Sequence, residues 1–85
     1  MSGVHVIYNG RNEDLPFEQL FTPERMASVG IAEGTVISSS NITEDQVKHA
    51  LSQYYDVGVG EFVDHFVELN PNGNVTVRPN TPFGG

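Results

Sequence analysis

The sequence predicts a small α+β domain in which two β-hairpins flank one amphipathic helix. Three observations support this fold class: an Asn-Gly pair between two strand-like segments near the start, a helix-start pattern at Thr43, and a turn-forming tetrad, Asn70–Gly73, between two strand-like segments near the end. A chain of 85 residues has room for one domain with a thin hydrophobic core.

The first hairpin is predicted from residues 4–17. Val4–Tyr8 is apolar and β-branched, which is typical of a strand. Asn9-Gly10 suits a type I′ turn, because that turn needs positive φ at both central residues. The chain then returns from Arg11 to a point between Leu15 and Phe17, although residues 12–14 are poor strand formers.

Two helix-start signals follow. Thr22-Pro23-Glu24 combines a capping residue, a proline suited to the first helical position and an acid near the positive end of the helix dipole, so we expect a short helix from Pro23 to about Val29. Thr43 with Gln46 three residues later matches a capping box, which predicts the main helix from Glu44 to about Tyr55. Residues 31–41 are harder to assign, and only residues 35–37 could form a short strand.

The last hairpin is predicted from a strand at residues 61–69, a reverse turn at 70–73 and a strand at 74–78. Alternation along the first strand places Phe62 and Phe66 on one face, with Asp64 and Glu68. The other face carries Val63, His65, Val67 and Leu69. It is more uniformly apolar, so we assign it to the core. We therefore expect the two phenylalanines to lie on the outer face and to be partly exposed. They could form a docking patch, be covered by the helix that begins at Pro23, or be buried in a dimer.

Composition limits the function. The net charge of −7 comes from 11 acids and 4 bases, so we expect no binding to nucleic acid or to an anionic membrane, which both require Lys and Arg. The absence of cysteine fits a reducing compartment. No apolar run approaches the roughly 20 residues of a membrane span, and no signal-like block precedes Val4. We therefore expect a cytoplasmic protein.

The sequence contains no convincing catalytic or metal-binding pattern. His5, His49 and His65 lack the spacing of metal ligands, and His65 on the core face suits a structural role. Asp64 and Glu68 are four residues apart on the same face of the predicted strand, but nothing identifies a substrate for paired carboxylates. We therefore expect no metal site, no bound cofactor and no intrinsic enzymatic activity.

The predicted domain covers residues 1–78, and residues 79–85 form a predicted flexible tail that ends in Gly84-Gly85. Seven extended residues span at most about 23 Å, which is enough to reach into another protein. Because glycine has no Cβ, it can enter a narrow channel and adopt any φ. Proline resists being drawn into a sheet. Such a tail can present its terminal carboxylate to an enzyme.

The Asn-Gly hairpin, the main helix, the final hairpin and Gly84-Gly85 together resemble the ubiquitin-like β-grasp proteins, in which the first and last strands meet at the centre of the sheet. The closest resemblance is to short bacterial modifiers encoded beside ThiF-type activating enzymes, and to the sulfur carriers of molybdopterin and thiamin synthesis. The resemblance covers most of the chain as an order of elements. It departs at residues 22–40, where a helix replaces a short loop.

The resemblance implies that a partner enzyme uses ATP to adenylate Gly85, and that Gly84 and Phe83 help the enzyme to recognise the tail. Phe62 and Phe66 would form the docking patch. The acyl group would then pass to a target, with Lys48, the only lysine, as a possible acceptor for chains. Three other hypotheses remain: a sulfur carrier with a terminal thiocarboxylate, a non-covalent interaction module, and an acidic mimic of nucleic acid. We expect a monomer.

Overall fold

The computed structural model describes residues 3–79. Within this range the chain forms four strands, namely β1 (Gly3–Tyr8), β2 (Arg11–Pro16), β3 (His65–Leu69) and β4 (Val75–Pro79). It also forms the helices α1 (Phe17–Leu20), α2 (Pro23–Ser28) and α3 (Glu44–Tyr54), and a 3₁₀ helix, Val59–Phe62.

The four strands form one mixed sheet in the order β2-β1-β4-β3. β1 pairs antiparallel with β2 and parallel with β4, and β3 pairs antiparallel with β4. The first and last strands therefore meet at the centre of the sheet. The predicted α+β class is confirmed.

Both predicted turns close their hairpins. Asn9 and Gly10 have φ values of 54° and 79°, as a type I′ turn requires. At the second hairpin, the N–H of Gly73 donates to the carbonyl of Asn70 at 3.1 Å. Gly73 has φ 95°, so this loop is a turn followed by a left-handed glycine, and the glycine makes the bulge common in three-residue hairpin loops.

The two predicted helix starts are also confirmed. The N–H of Arg25 donates to the Thr22 hydroxyl at 3.3 Å and caps α2. At α3 the capping box is complete, because the N–H of Gln46 donates to the Thr43 hydroxyl at 3.2 Å and the N–H of Thr43 donates to the Gln46 side chain at 2.9 Å. Both bonds satisfy donors that a helix start leaves unpaired.

The hydrophobic core lies between α3 and one face of the sheet. α3 contributes Val47, Ala50 and Leu51, as its spacing predicts. The side chains buried in the core are Val4, Val6, Leu15, Phe17, Leu20, Phe21, Met26, Ile31, Ile42, Val47, Ala50, Leu51, Phe62, Val75 and Val77.

Phe62 belongs to this core, and the prediction that it is partly exposed is wrong. Its exposed fraction is 0%, whereas that of Val63, which we assigned to the core, is 69%. β3 begins at His65 rather than at residue 61. The N–H of Val63 donates to the carbonyl of Gly60 at 3.3 Å, so this segment turns with a period near three. The two-residue alternation of a strand does not apply there.

Within β3 the predicted alternation holds. His65 and Val67 lie on the face that carries α3, and both are half-buried. Phe66 lies on the opposite face and is 47% exposed, as expected. Leu69 shares the face of Val67 but is 41% exposed at the end of the strand.

The segment between α2 and α3 contains no strand, so the expectation for residues 35–37 is wrong. The side chain of Val36 is 84% exposed, so it does not pack against the sheet. The segment is instead anchored by Ser39, whose N–H donates to the carbonyl of Gly73 at 3.1 Å and whose hydroxyl donates to the carbonyl of Asn70. These bonds fix the segment against the turn between β3 and β4.

Candidate functional site

β4 is the last element that the structure describes before the C-terminal residues. β4 lies between β1 and β3, and its last residue, Pro79, pairs with His65. Phe83, Gly84 and Gly85 lie outside the described residues. Their proposed roles in activation and recognition remain predictions.

Four aromatic rings pack together, and one of them belongs to His65, which pairs with Pro79. We call Tyr8, Tyr55, Phe62 and His65 the aromatic cluster. The ring centroid of Tyr8 lies 4.8 Å from that of Phe62 and 4.9 Å from that of Tyr55. The His65 ring lies 5.0 Å from Phe62 and 6.0 Å from Tyr8. These separations and the tilted rings are the geometry that aromatic side chains prefer.

Separate elements bring the cluster together. Tyr8 ends β1, Tyr55 follows the last turn of α3, Phe62 ends the 3₁₀ helix and His65 begins β3. Sequence reasoning missed this convergence because it assigned Phe62 to a strand. The one available signal was the position of Tyr8 and Tyr55, each at the end of a predicted element.

Two acids hold the phenols of the cluster. The Tyr55 hydroxyl donates a hydrogen bond to the Glu13 carboxylate, and the Tyr8 hydroxyl donates to Glu61 Oε1 at 3.4 Å. Burial, followed by the bond to Glu13, raises the pKa of Tyr55 well above its ordinary value. Burial and the charge of Glu61 raise the pKa of Tyr8. Both phenols therefore stay protonated near neutral pH, so neither supplies a phenolate base.

His65 is the least satisfied polar group of the cluster. Both of its ring nitrogens are buried, and neither has a hydrogen-bond partner among residues 3–79. Burial, followed by the positive charge of Lys48, lowers the pKa of His65, while Asp64 and Glu61 act in the opposite direction. The lowered pKa favours a neutral imidazole at pH 7.

Lys48 lies on α3 and its side chain is half-buried. Its positive charge contributes to the lowered pKa of His65 on β3. Its proposed role as an acceptor for chains remains a prediction.

Within residues 3–79 no helix packs on the face of the sheet opposite α3, and we call it the open sheet face. Its central feature is Phe66, with the Arg78 guanidinium 5.3 Å from the ring centroid and Arg78 Nε 3.2 Å from Glu68 Oε1. The cation over the ring and the ion pair hold the half-exposed Phe66 in a fixed setting. Its side chains are His5, Ile7, Asn12, Asp14, Phe66, Glu68, Thr76 and Arg78.

A cleft of about 410 Å³ lies at one end of the open sheet face, beside the turn between β3 and β4. Its polar lining is largely paired internally. His5 Nδ1 lies 2.6 Å from Asp14 Oδ1, the Asn70 amide donates to the Thr76 hydroxyl at 3.2 Å, and the Gly3 N–H donates to Asn74 Oδ1 at 3.0 Å. These bonds brace the strand ends that form the cleft.

No group of three or more His, Cys, Asp or Glu side chains is placed to hold a metal ion within residues 3–79. No helix of the described range has the length and apolar character needed to cross a membrane.

Comparison with known proteins identifies no relative: the chain matches no protein-family model, no curated protein and no solved structure.

Proposed function

We propose that the chain is a small ubiquitin-like protein modifier. A ThiF-type enzyme would activate it at Gly85 and pass it to a target. The observation that carries the proposal is the parallel pairing of β1 with β4 at the centre of a four-stranded sheet crossed by α3. This is the strand arrangement expected of a β-grasp. It makes the last strand a central one that leads directly into the segment ending in Gly84-Gly85.

The chemistry requires only a free carboxylate on Gly85. A carboxylate oxygen attacks the α-phosphate of ATP, which releases pyrophosphate and leaves an acyl-adenylate. An enzyme thiol then displaces AMP to form a thioester, and the amine of a target lysine displaces the thiol to form an amide. The modifier supplies no catalytic group. Gly84 lets the backbone enter the active site because it has no Cβ.

The folded domain contributes a fixed starting point for the tail and a surface for the enzyme. β4 is held on both sides by neighbouring strands, so Pro79 has a defined position. Phe66 on the open sheet face offers an apolar contact with Arg78 beside it. Phe62 is buried and is no longer proposed as a docking residue. Phe83 remains proposed as a recognition residue.

The test combines the purified chain with ATP and a ThiF-type enzyme from the same organism. Intact-mass spectrometry should detect an adenylate or an enzyme thioester on the chain. Deletion of Gly84-Gly85 should abolish both products, whereas Val36→Ala, at an exposed loop position, should leave them unchanged. Absence of any activated species with the wild-type chain contradicts the proposal. So does an intact mass showing that the native protein continues beyond Gly85.

The sulfur-carrier hypothesis shares the adenylate and differs in the next step. A sulfur donor would displace AMP and leave a thiocarboxylate on Gly85, with one oxygen replaced by sulfur. The mass of the released chain distinguishes this product from an amide conjugate.

The open sheet face favours a second candidate, a non-covalent interaction module. Phe66 is 47% exposed on the edge strand of this face, and a half-exposed aromatic ring beside an arginine is a common anchor in protein interfaces. A module should retain its partner after deletion of Gly84-Gly85 and lose it after Phe66→Ser. A modifier should instead lose its activation and transfer when Gly84-Gly85 is deleted.

A further inference from the structure

The two edges of the sheet differ in how they are protected. β2 carries Arg11, Glu13, Asp14 and Pro16, and charges and proline are the usual means of preventing an edge strand from pairing with another chain. β3, the other edge, has the sequence HFVEL, with one acid and no lysine or proline. Its Phe66 and Leu69 are among the exposed large hydrophobic residues of the described range.

The hydrogen bonds of the hairpin establish which backbone groups of β3 are free. The N–H of Asn70 donates to the carbonyl of Asn74 at 2.9 Å. Because bonded and non-bonded pairs alternate along an antiparallel ladder, Glu68 and Phe66 form the next bonded pairs with β4. The N–H and C=O groups of His65, Val67 and Leu69 therefore point away from the sheet. These groups make no turn, loop or side-chain hydrogen bond within the described residues.

We propose that β3 pairs antiparallel with β3 of a second copy of this chain, centred on Val67. Two four-stranded sheets would then join into one continuous sheet. In this register Val67 faces Val67 of the second copy, and His65 faces Leu69 of the second copy. It is the one antiparallel register in which His65, Val67 and Leu69 of each copy all pair with a member of the same set in the other copy. Each unpaired backbone group is satisfied without a change in the fold.

The side chains of the open sheet face favour the same register. Phe66 falls opposite Glu68 of the second copy. Arg78 already lies over the Phe66 ring, so the incoming carboxylate meets a guanidinium. A shift of the centre to Glu68 would oppose two like carboxylates, and a shift to Phe66 would oppose Asp64 to Glu68. Like charges directly opposite are destabilising. This charge complementarity identifies a second copy as the occupant, in place of the expected monomer.

Disulfide formation tests the register, because the chain contains no cysteine of its own. Bonded antiparallel pairs have Cα atoms about 5.5 Å apart, within the range that a disulfide spans. Val67→Cys should therefore form a covalent dimer under mild oxidation. Leu69→Cys is the matched control. Position 69 of one copy faces position 65 of the other, so the two copies of residue 69 lie four residues apart along the strand, about 13 Å. A mixture of His65→Cys and Leu69→Cys chains should form the heterodimer.

Sedimentation equilibrium tests the association without cysteine. The wild-type chain should dimerise reversibly. Leu69→Lys should raise the dissociation constant roughly tenfold or more, because each dimer would then place two lysines where leucines face His65 of the other copy. Val36→Lys makes the same change at an exposed loop position and should dimerise as the wild type does. A chain that stays monomeric at millimolar concentration overturns the proposal, as does a Leu69→Cys chain that cross-links as well as Val67→Cys. An extended peptide as the true occupant of the edge would also leave the free chain monomeric. Neither test depends on the chemistry proposed for Gly85.

Discussion

The Tyr55 hydroxyl donates a hydrogen bond to the Glu13 carboxylate and thereby ties the end of α3 to the edge strand β2. The two residues are 42 positions apart in the chain. The Tyr55 ring also packs on Tyr8 of β1. The bond therefore links the aromatic cluster to the charged edge of the sheet.

Tyr55→Phe should lower the free energy of unfolding by about 1 kcal/mol, because it removes a hydrogen bond to a charged acceptor and leaves the ring in place. Urea denaturation at pH 7 measures the change. Tyr54→Phe is the matched control, since the Tyr54 hydroxyl accepts its hydrogen bond from Gln19 at the exposed surface, and it should cost less. An equal loss in the two variants would mean that the Glu13 bond contributes nothing specific.

His65 should make the domain less stable in mild acid. The pKa of His65 is lowered in the folded state by burial and by Lys48, whereas the unfolded chain takes up the proton near pH 6.5. The stability contributed by the neutral ring is therefore fully present above about pH 6.5. It is lost as the pH falls from there through the lower folded-state pKa.

Thermal unfolding between pH 7.5 and pH 5 measures this effect. His65→Phe should reduce the loss, because Phe fits the aromatic neighbours and cannot be protonated. His49→Gln, on the exposed side of α3, should leave the loss as in the wild type. If both variants lose as much stability between pH 7.5 and pH 5 as the wild type, the carboxylates of the domain account for that loss and His65 does not.

Phe62 and Phe66 should respond differently to truncation. Phe62→Ala removes a ring that is 0% exposed, and such changes typically cost about 3–5 kcal/mol because a cavity remains. Phe66→Ala removes a half-exposed ring and should cost about 1 kcal/mol, mainly from the contact with Arg78. Urea midpoints of the two variants measure the difference. If the two variants lose similar stability, Phe62 is not a core residue, and the partial exposure predicted from the sequence is correct.

Phe62 also shows which features of the fold could not be predicted from the sequence alone. Asn9-Gly10 and the capping residues Thr43 and Gln46 were predicted correctly because each signal is complete within a few residues. The position of Phe62 depends instead on where the 3₁₀ helix ends and β3 begins. Phe62 stacks on Tyr8, which comes from β1 at the other end of the chain, and no local sequence pattern reveals that contact. The aromatic cluster was missed for the same reason.

Gly3 is the glycine whose replacement should be most damaging among those in the first hairpin and the 3₁₀ segment. A Cβ at this position would lie 2.5 Å from the carbonyl oxygen of Leu15, which is backbone and cannot move aside without shifting β2. The N–H of Gly3 also donates to Asn74 Oδ1 at 3.0 Å, so a displaced strand would weaken the contact with the β3–β4 turn. We expect Gly3→Ala to destabilise the domain by about 1–3 kcal/mol.

Gly60→Ala is the control, because a Cβ there meets no atom within 4 Å. It should be neutral or slightly stabilising, since alanine restricts the unfolded chain. Amide exchange measured by NMR locates the effect, and in Gly3→Ala the loss of protection should be concentrated where β1 meets β2. A Gly3→Ala chain as stable as Gly60→Ala would show that β2 can move away from β1 at little cost. The β2 edge would then be less rigid than its paired register with β1 implies.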